Sequence, residues 1–305
     1  MHNSHSMQVS LAGLSLKNPT ILASGILGIS AESLMRVASA GAGAVTTKSI
    51  GIEPREGYAN PTVVEVECGF LNALGLPNPG IREFAEEIRK YRSDAPLIVS
   101  VYGFSPTEYA EVAAMAESSG ANAIELNLSC PHIKGSGSEI GQDPEMIYDV
   151  VKNVKGAVEK PVFAKLSPNT SNIARLAEAA EDAGADAITA INTVKAMAID
   201  IDTMKPILSN KIGGLSGVAI KPVAVRCVYE IYEAVRIPII GCGGIRSWRD
   251  AVEFILAGAS AVEIGSAIAH GDLTIFQSIA QGINSYIESK GYRKVEEIVG
   301  MAHES

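Results

Sequence analysis

Gly120-Ala-Asn-Ala-Ile-Glu-Leu-Asn-Leu-Ser-Cys-Pro131 is the stretch whose reading decides the fold. It opens with a glycine suited to a helix end, where a left-handed residue is wanted. It continues as an apolar, strand-like run over 123–127. It ends in a polar cluster, Asn127, Ser129 and Cys130, closed by a proline that cannot donate to a strand ladder. The opening recurs at Gly41-Ala-Gly-Ala-Val45, Gly184-Ala-Asp-Ala-Ile188 and Gly258-Ala-Ser-Ala-Val262. Each copy follows a helix-like stretch and leads into an apolar run. Helix, Gly-Ala-x-Ala and strand, repeated, predict βα units and a parallel sheet.

Filling the gaps predicts strands over 20–23, 44–48, 97–101, 123–127, 162–166, 187–191, 238–241 and 261–265. Helices are predicted between them, for example over 106–119, 172–183 and 248–257. The expected fold is therefore α/β, a (β/α)8 TIM barrel with insertions at the C-terminal face of the strands. The chain's 305 residues accommodate such a barrel, which needs about 250. Residues 49–95 are too many for one plain connection. They read as a loop or small hairpin with functional residues, then a helix over 81–91. Residues 195–216 form a second insertion over the same face. No linker divides the chain, so one domain is expected over 7–305, after a polar leader or expression remnant at 1–6.

Composition narrows the function. Lys plus Arg number 25 against 34 Asp plus Glu, a formal charge of −9 with no basic stripe. Nucleic acid is not an expected partner, because phosphate contacts need a basic face. No apolar run has the length of a membrane span, and no signal peptide opens the chain, so a cytoplasmic setting is expected. The four cysteines, Cys68, Cys130, Cys227 and Cys242, form no C-x-x-C pair. Neither a disulfide framework nor a self-contained zinc or iron–sulfur site is expected.

In a barrel, chemistry collects at strand C-termini. Those ends carry Ser24, Lys48, Ser100, Asn127, Lys165, Asn192, Gly243-Gly244 and Gly265-Ser266. Lysines and asparagines closing apolar strands are costly unless paired or bound. Several on one rim predict a ligand site. Gly241-Cys-Gly-Gly244 after the seventh strand and Gly265-Ser266 after the eighth predict a phosphate site, where backbone N–H groups meet the anion with no Cβ in the way. A Rossmann G-x-G-x-x-G is absent, so a mononucleotide such as FMN is expected.

These residues carry a resemblance. With Thr46-Thr-Lys-Ser49, Asn72-Ala-Leu-Gly-Leu-Pro-Asn78, Asn127-Leu-Ser-Cys-Pro131, Ala164-Lys-Leu-Ser-Pro168, Ile191-Asn-Thr193 and Gly214-Leu-Ser-Gly217 in this order, the chain resembles the class 1 dihydroorotate dehydrogenases. It is most similar to the class 1B catalytic subunit. The resemblance implies oxidation of dihydroorotate to orotate in pyrimidine (UMP) biosynthesis. Hydride passes to FMN, and electrons pass on to NAD+ through a partner subunit.

The resemblance also implies roles. Cys130 is the base that takes the C5 proton, and a thiol near pKa 8.5 suits that task. Lys165 lies near the flavin N1/O2 edge. Lys48 touches flavin and substrate. Asn72, Asn127, Asn192 and Thr193 hold the pyrimidine, with Ala73, Leu74, Gly75 and Leu76 around it. Ser24, Ser49, Asn127, Ile191, Gly217, Gly243, Gly244, Gly265 and Ser266 hold FMN. His132 and Ser100 stand where relatives carry Asn, and neither receives a contact. The implied assembly is a heterotetramer. Its two catalytic chains form a dimer, and two partner chains carry FAD and [2Fe-2S].

Three other readings use the same residues. One is a class 1A fumarate-dependent homodimer. Another is a dihydropyrimidine-type flavin reductase. The third, of a different class, is a non-redox phosphate-binding isomerase or lyase.

Overall fold

The computed structural model describes residues 7–129 and 140–304. Among them, eight parallel strands close into a barrel: β1 (Thr20–Leu22), β2 (Ala44–Thr46), β3 (Leu97–Val101), β4 (Ala123–Asn127), β5 (Val162–Leu166), β6 (Ala187–Ala190), β7 (Ile239–Cys242) and β8 (Ala259–Ile264). Neighbours in the ring are neighbours in sequence, and β8 returns to β1 with Val262 opposite Thr20. The outer layer is α1 (Ala31–Ser39), α2 (Ile81–Lys90), α3 (Pro106–Ser119), α4 (Pro144–Lys155), α5 (Ile173–Asp182), α6 (Lys221–Ala234), α7 (Trp248–Leu256) and α8 (Ile275–Ser289).

Local chemistry accounts for most of these elements. In α2 the residues Ile81, Phe84, Ala85 and Ile88 are buried, an i, i+3, i+4, i+7 stripe turned to the barrel. Helix α3 starts where Ser105 accepts a hydrogen bond from the Glu108 N–H, with Pro106 in the first turn. Ser247 and Asp250 form a capping box on α7. No helix among the described residues is long and apolar enough to cross a membrane.

The Gly-Ala-x-Ala repeat has two tertiary uses. Its glycines, Gly41, Gly120, Gly184 and Gly258, all take positive φ, between 96° and 122°, as expected where a helix ends. Its last alanines, Ala44, Ala123, Ala187 and Ala261, stand on the even-numbered strands and point into the barrel floor. There they alternate with Ile21, Ile98, Phe163 and Ile240 from the odd-numbered strands. Small residues on one set of strands make room for large ones on the other, the layered packing of such barrels.

Two features lie outside the expected pattern. A hairpin of Val9–Leu11 and Leu14–Leu16 turns through Ala12 and Gly13, both at positive φ. It plugs the floor with the fully buried Leu11 and Leu16. At the other end, the two insertions join. Val63–Val66 and Gly69–Asn72 make the expected small hairpin, and Gly213–Ser216 and Val194–Ala196 from the second insertion extend it. The result is one four-stranded antiparallel roof over the strand C-termini, with Leu71, Ala73 and Leu208 as its core.

Candidate active site

Two residues above the floor layer, most of the next inward positions are polar. Ser100, Glu125, Lys165, Thr189 and Glu263 are all buried there. Lys165 Nζ lies 2.5 Å from Glu263 Oε2 and 3.5 Å from Glu125 Oε1. Thr189 donates its hydroxyl to Glu125 Oε2 at 3.2 Å. Oε1 of Glu263 makes no hydrogen bond. Burial, and then the Glu263 charge, push the Glu125 carboxyl up to about 8, against the opposing pull of Lys165. For Lys165, burial works against the charge, but the two carboxylates outweigh it and hold the ammonium above its usual range. Burial pushes the Cys242 thiol up as well. Near neutral pH the Lys165 ammonium is therefore charged and the Glu125 carboxyl is protonated.

The raised Glu125 value has a stability consequence. The unfolded chain releases this proton near 4.5, while the folded chain keeps it to about 8. Stability from this group is full below the lower value and lost as pH rises to the upper one. Against Glu125→Gln, the wild-type apoprotein should lose thermal stability progressively across that window. Parallel melting curves for the two proteins across the window would show Glu125 ionised throughout.

Above this layer the rim is tied into one network. Asn127 donates through Nδ2 to Ser49 Oγ at 3.1 Å. Its Oδ1 accepts from Ser129 Oγ at 2.6 Å and from Asn192 Nδ2 at 3.2 Å. Its carbonyl accepts the Tyr109 hydroxyl at 2.7 Å. Ser49 Oγ also meets Ser24 Oγ at 3.3 Å and Ser100 Oγ at 3.0 Å. Asn169 holds the Thr193 carbonyl and the Lys195 N–H. Asn72 donates to the Gly214 carbonyl at 3.2 Å, pinning the roof hairpin to the second insertion. Amides fixed by such bonds present oriented donors and acceptors to a planar ligand.

Rim and roof enclose a cleft of about 950 Å³. Ser24, Lys48, Ser49, Asn127, Lys165, Ile191, Asn192 and Thr193 line it from the strand ends. Asn72, Ala73, Leu74, Gly75, Leu76 and Gly217 line it from the insertions. Gly243, Gly244, Gly265 and Ser266 line it after β7 and β8. Ser100 is fully buried and stands behind Ser49 rather than in the cleft. Cys130 and His132 lie outside the described residues. The sequence reading missed Glu125, Glu263 and Asn169, and gave Ser129 no role beyond the polar cluster at its strand end. The two glutamates had a usable signal, a charge at an inward position of an otherwise apolar strand.

The cleft suits a phosphate-bearing flat ligand. A Cβ on Gly244 would lie 2.8 Å from both the Gly217 carbonyl oxygen and Lys221 Cβ, and its φ is +77°. Gly243 and Gly217 also take positive φ. Only glycine brings the backbone this close without a side chain. Lysine and amide groups face the rest of the cleft, where a ring with carbonyl and N–H edges fits. The residues present therefore fit FMN.

Fold and site define a (β/α)8-barrel enzyme with its cleft at the strand C-termini. The dihydroorotate dehydrogenase family model matches residues 6–287. A Pyrococcus furiosus protein named dihydroorotate dehydrogenase B (NAD(+)), catalytic subunit, is 57% identical over 97% of this chain and 99% of its own length. A protein of the same name from Methanothermobacter thermautotrophicus is 51% identical over 98% and 99%. The chain belongs to the dihydroorotate dehydrogenase family. A crystal structure of a DHODH from Eimeria tenella in complex with ferulenol superposes with a TM-score of 0.85 at 20% identity, over 100% of this chain and 90% of that one. At that identity the likeness is one of fold.

Proposed function

We propose that this chain oxidises dihydroorotate to orotate, as the FMN-binding catalytic subunit of an NAD+-linked enzyme. The observation that supports it is convergence: every described residue to which the resemblance gives a flavin or substrate role lines one cleft. FMN, when bound, accepts the hydride leaving C6. The chain's own residues do the rest. Cys130 takes the C5 proton. Asn72, Asn127, Asn192 and Thr193 orient the pyrimidine, held by the bonds that lock Asn127 to Ser49 and Asn192. Lys165 keeps a positive charge at the cleft floor. Gly243, Gly244, Gly265 and Ser266 receive the phosphate. The roof limits water.

In this reading residues 7–305 are one catalytic domain, working in the cytoplasm. Two such chains form a dimer and join two partner subunits that carry FAD and [2Fe-2S]. The test is the purified protein's spectrum and its anaerobic response to dihydroorotate. A yellow protein bleached by dihydroorotate is expected; one that stays colourless with added FMN would overturn the reading.

One substitution probes the pocket. Asn127→Ala removes a half-buried amide whose lost hydrogen bonds cost about 1–3 kcal/mol. Orotate binding, followed by its perturbation of the flavin spectrum, should weaken roughly tenfold or more. Unchanged affinity would remove Asn127 from the pocket.

A further inference from the structure

The floor layer shows that this barrel packs well with Ile, Phe and Ala. One layer up, two carboxyls and an ammonium replace them, exposed by 0% (Glu125), 1% (Glu263) and 5% (Lys165). Burying such a set contributes little to stability, since apolar residues of like volume do as well or better. Its geometry is directed. Glu263 on β8 reaches Lys165 on β5 at 2.5 Å, three strands round the ring, so the ammonium is held over the barrel lumen. Lys165 and Glu263 also line the cleft, whereas Glu125 sits beneath. Whatever binds there meets the net charge of the trio across a poorly screened distance.

That charge bears on the proposed reaction. A hydride brings two electrons and one proton, so bound FMN gains one negative charge. Lys165 can offset it only as far as its own charge is not already offset by the carboxyls below.

We propose that Glu263 and Glu125 are positioning residues that set the reduction potential of bound FMN by regulating how much of the Lys165 charge the flavin meets. The proposal rests on the FMN reading above. Glu263 is the nearer partner of the ammonium, at 2.5 Å against 3.5 Å for Glu125. Glu125 adds a negative charge only when it loses its proton. The ionisable groups facing Glu125 are Lys165 from β5 and Glu263 from β8, with the Thr189 hydroxyl from β6. Cys242 from β7 faces Lys165 and Glu263.

The experiment is an anaerobic dye-equilibrated titration of the flavin-loaded wild type, Glu263→Gln and Glu125→Gln. Glutamine keeps the shape and removes the charge. Glu263→Gln should favour reduced flavin at least tenfold, a rise of about 30 mV for a two-electron couple. Glu125→Gln should match the wild type at about pH 6 and exceed it at about pH 9, because the wild-type carboxyl ionises near 8. A purely structural role moves melting temperature and leaves the potential alone. If Glu263→Gln holds no flavin, the Glu125→Gln comparison decides by itself. Flavin-loaded proteins with equal potentials at both pH values would overturn this proposal and leave the FMN reading standing. A wild type that binds no FMN would overturn both.

Discussion

Cys130→Ala should reduce its bound FMN with dihydroorotate about 10²–10⁴ times more slowly than the wild type, the usual cost of losing a general base. It should still fold, hold FMN and bind orotate, since none of those tasks needs a thiolate. Cys130→Ser should be impaired too, because a hydroxyl is a far weaker acid than a thiol and is rarely ionised near neutral pH. The wild-type rate should rise with pH as the thiol ionises, around pKa 8.5 if unperturbed. Anaerobic stopped-flow reduction measures this directly.

The structure selects the controls. Cys68 is exposed, and Cys227 is buried on α6 with burial pushing its thiol up to about 11. Alanine at either position should leave flavin reduction near normal. Cys242 is a poorer control, because it stands in the cleft floor facing Lys165. If Cys130→Ala reduces its flavin as fast as Cys68→Ala and Cys227→Ala, the base is another group.

Gly244→Val should purify almost free of FMN. The added Cβ would press on the Gly217 carbonyl oxygen and Lys221 Cβ, each 2.8 Å away, and the φ of +77° disfavours any branched residue. The loop must therefore shift, and its N–H groups with it. Hydrogen bonds to a charged group are each worth about 1.5–3 kcal/mol. Losing two lowers affinity roughly a hundredfold or more. Backbone strain of about 1–3 kcal/mol lowers apoprotein stability as well. Flavin content per folded molecule, beside apoprotein melting, separates the two effects. Gly265→Ala gives a gentler comparison, since its Cβ would meet only Ala23 Cβ at 3.5 Å. A folded Gly244→Val with full flavin would move the phosphate elsewhere.

Much of this molecule is written in short-range chemistry. The Gly-Ala-x-Ala copies announced their helix ends because only a residue without a Cβ turns left-handed there without strain. Strands 97–101, 123–127 and 162–166 were readable to the residue, being apolar runs cut by polar or proline signals. The rim was readable because Lys165, Asn127 and Asn192 follow apolar strands, where a polar side chain needs a partner. Tertiary structure decided what depends on closure. No local pattern sets Ala44 and Ala261 between Ile21, Ile98 and Ile240; only the closed ring does. The two insertions pair although Asn72 and Gly214 are 142 residues apart, a register no local pattern encodes. Glu125 and Glu263 looked like isolated charges in strands. Closing the barrel brings them onto one ammonium, because inward positions far apart in sequence share a single narrow lumen.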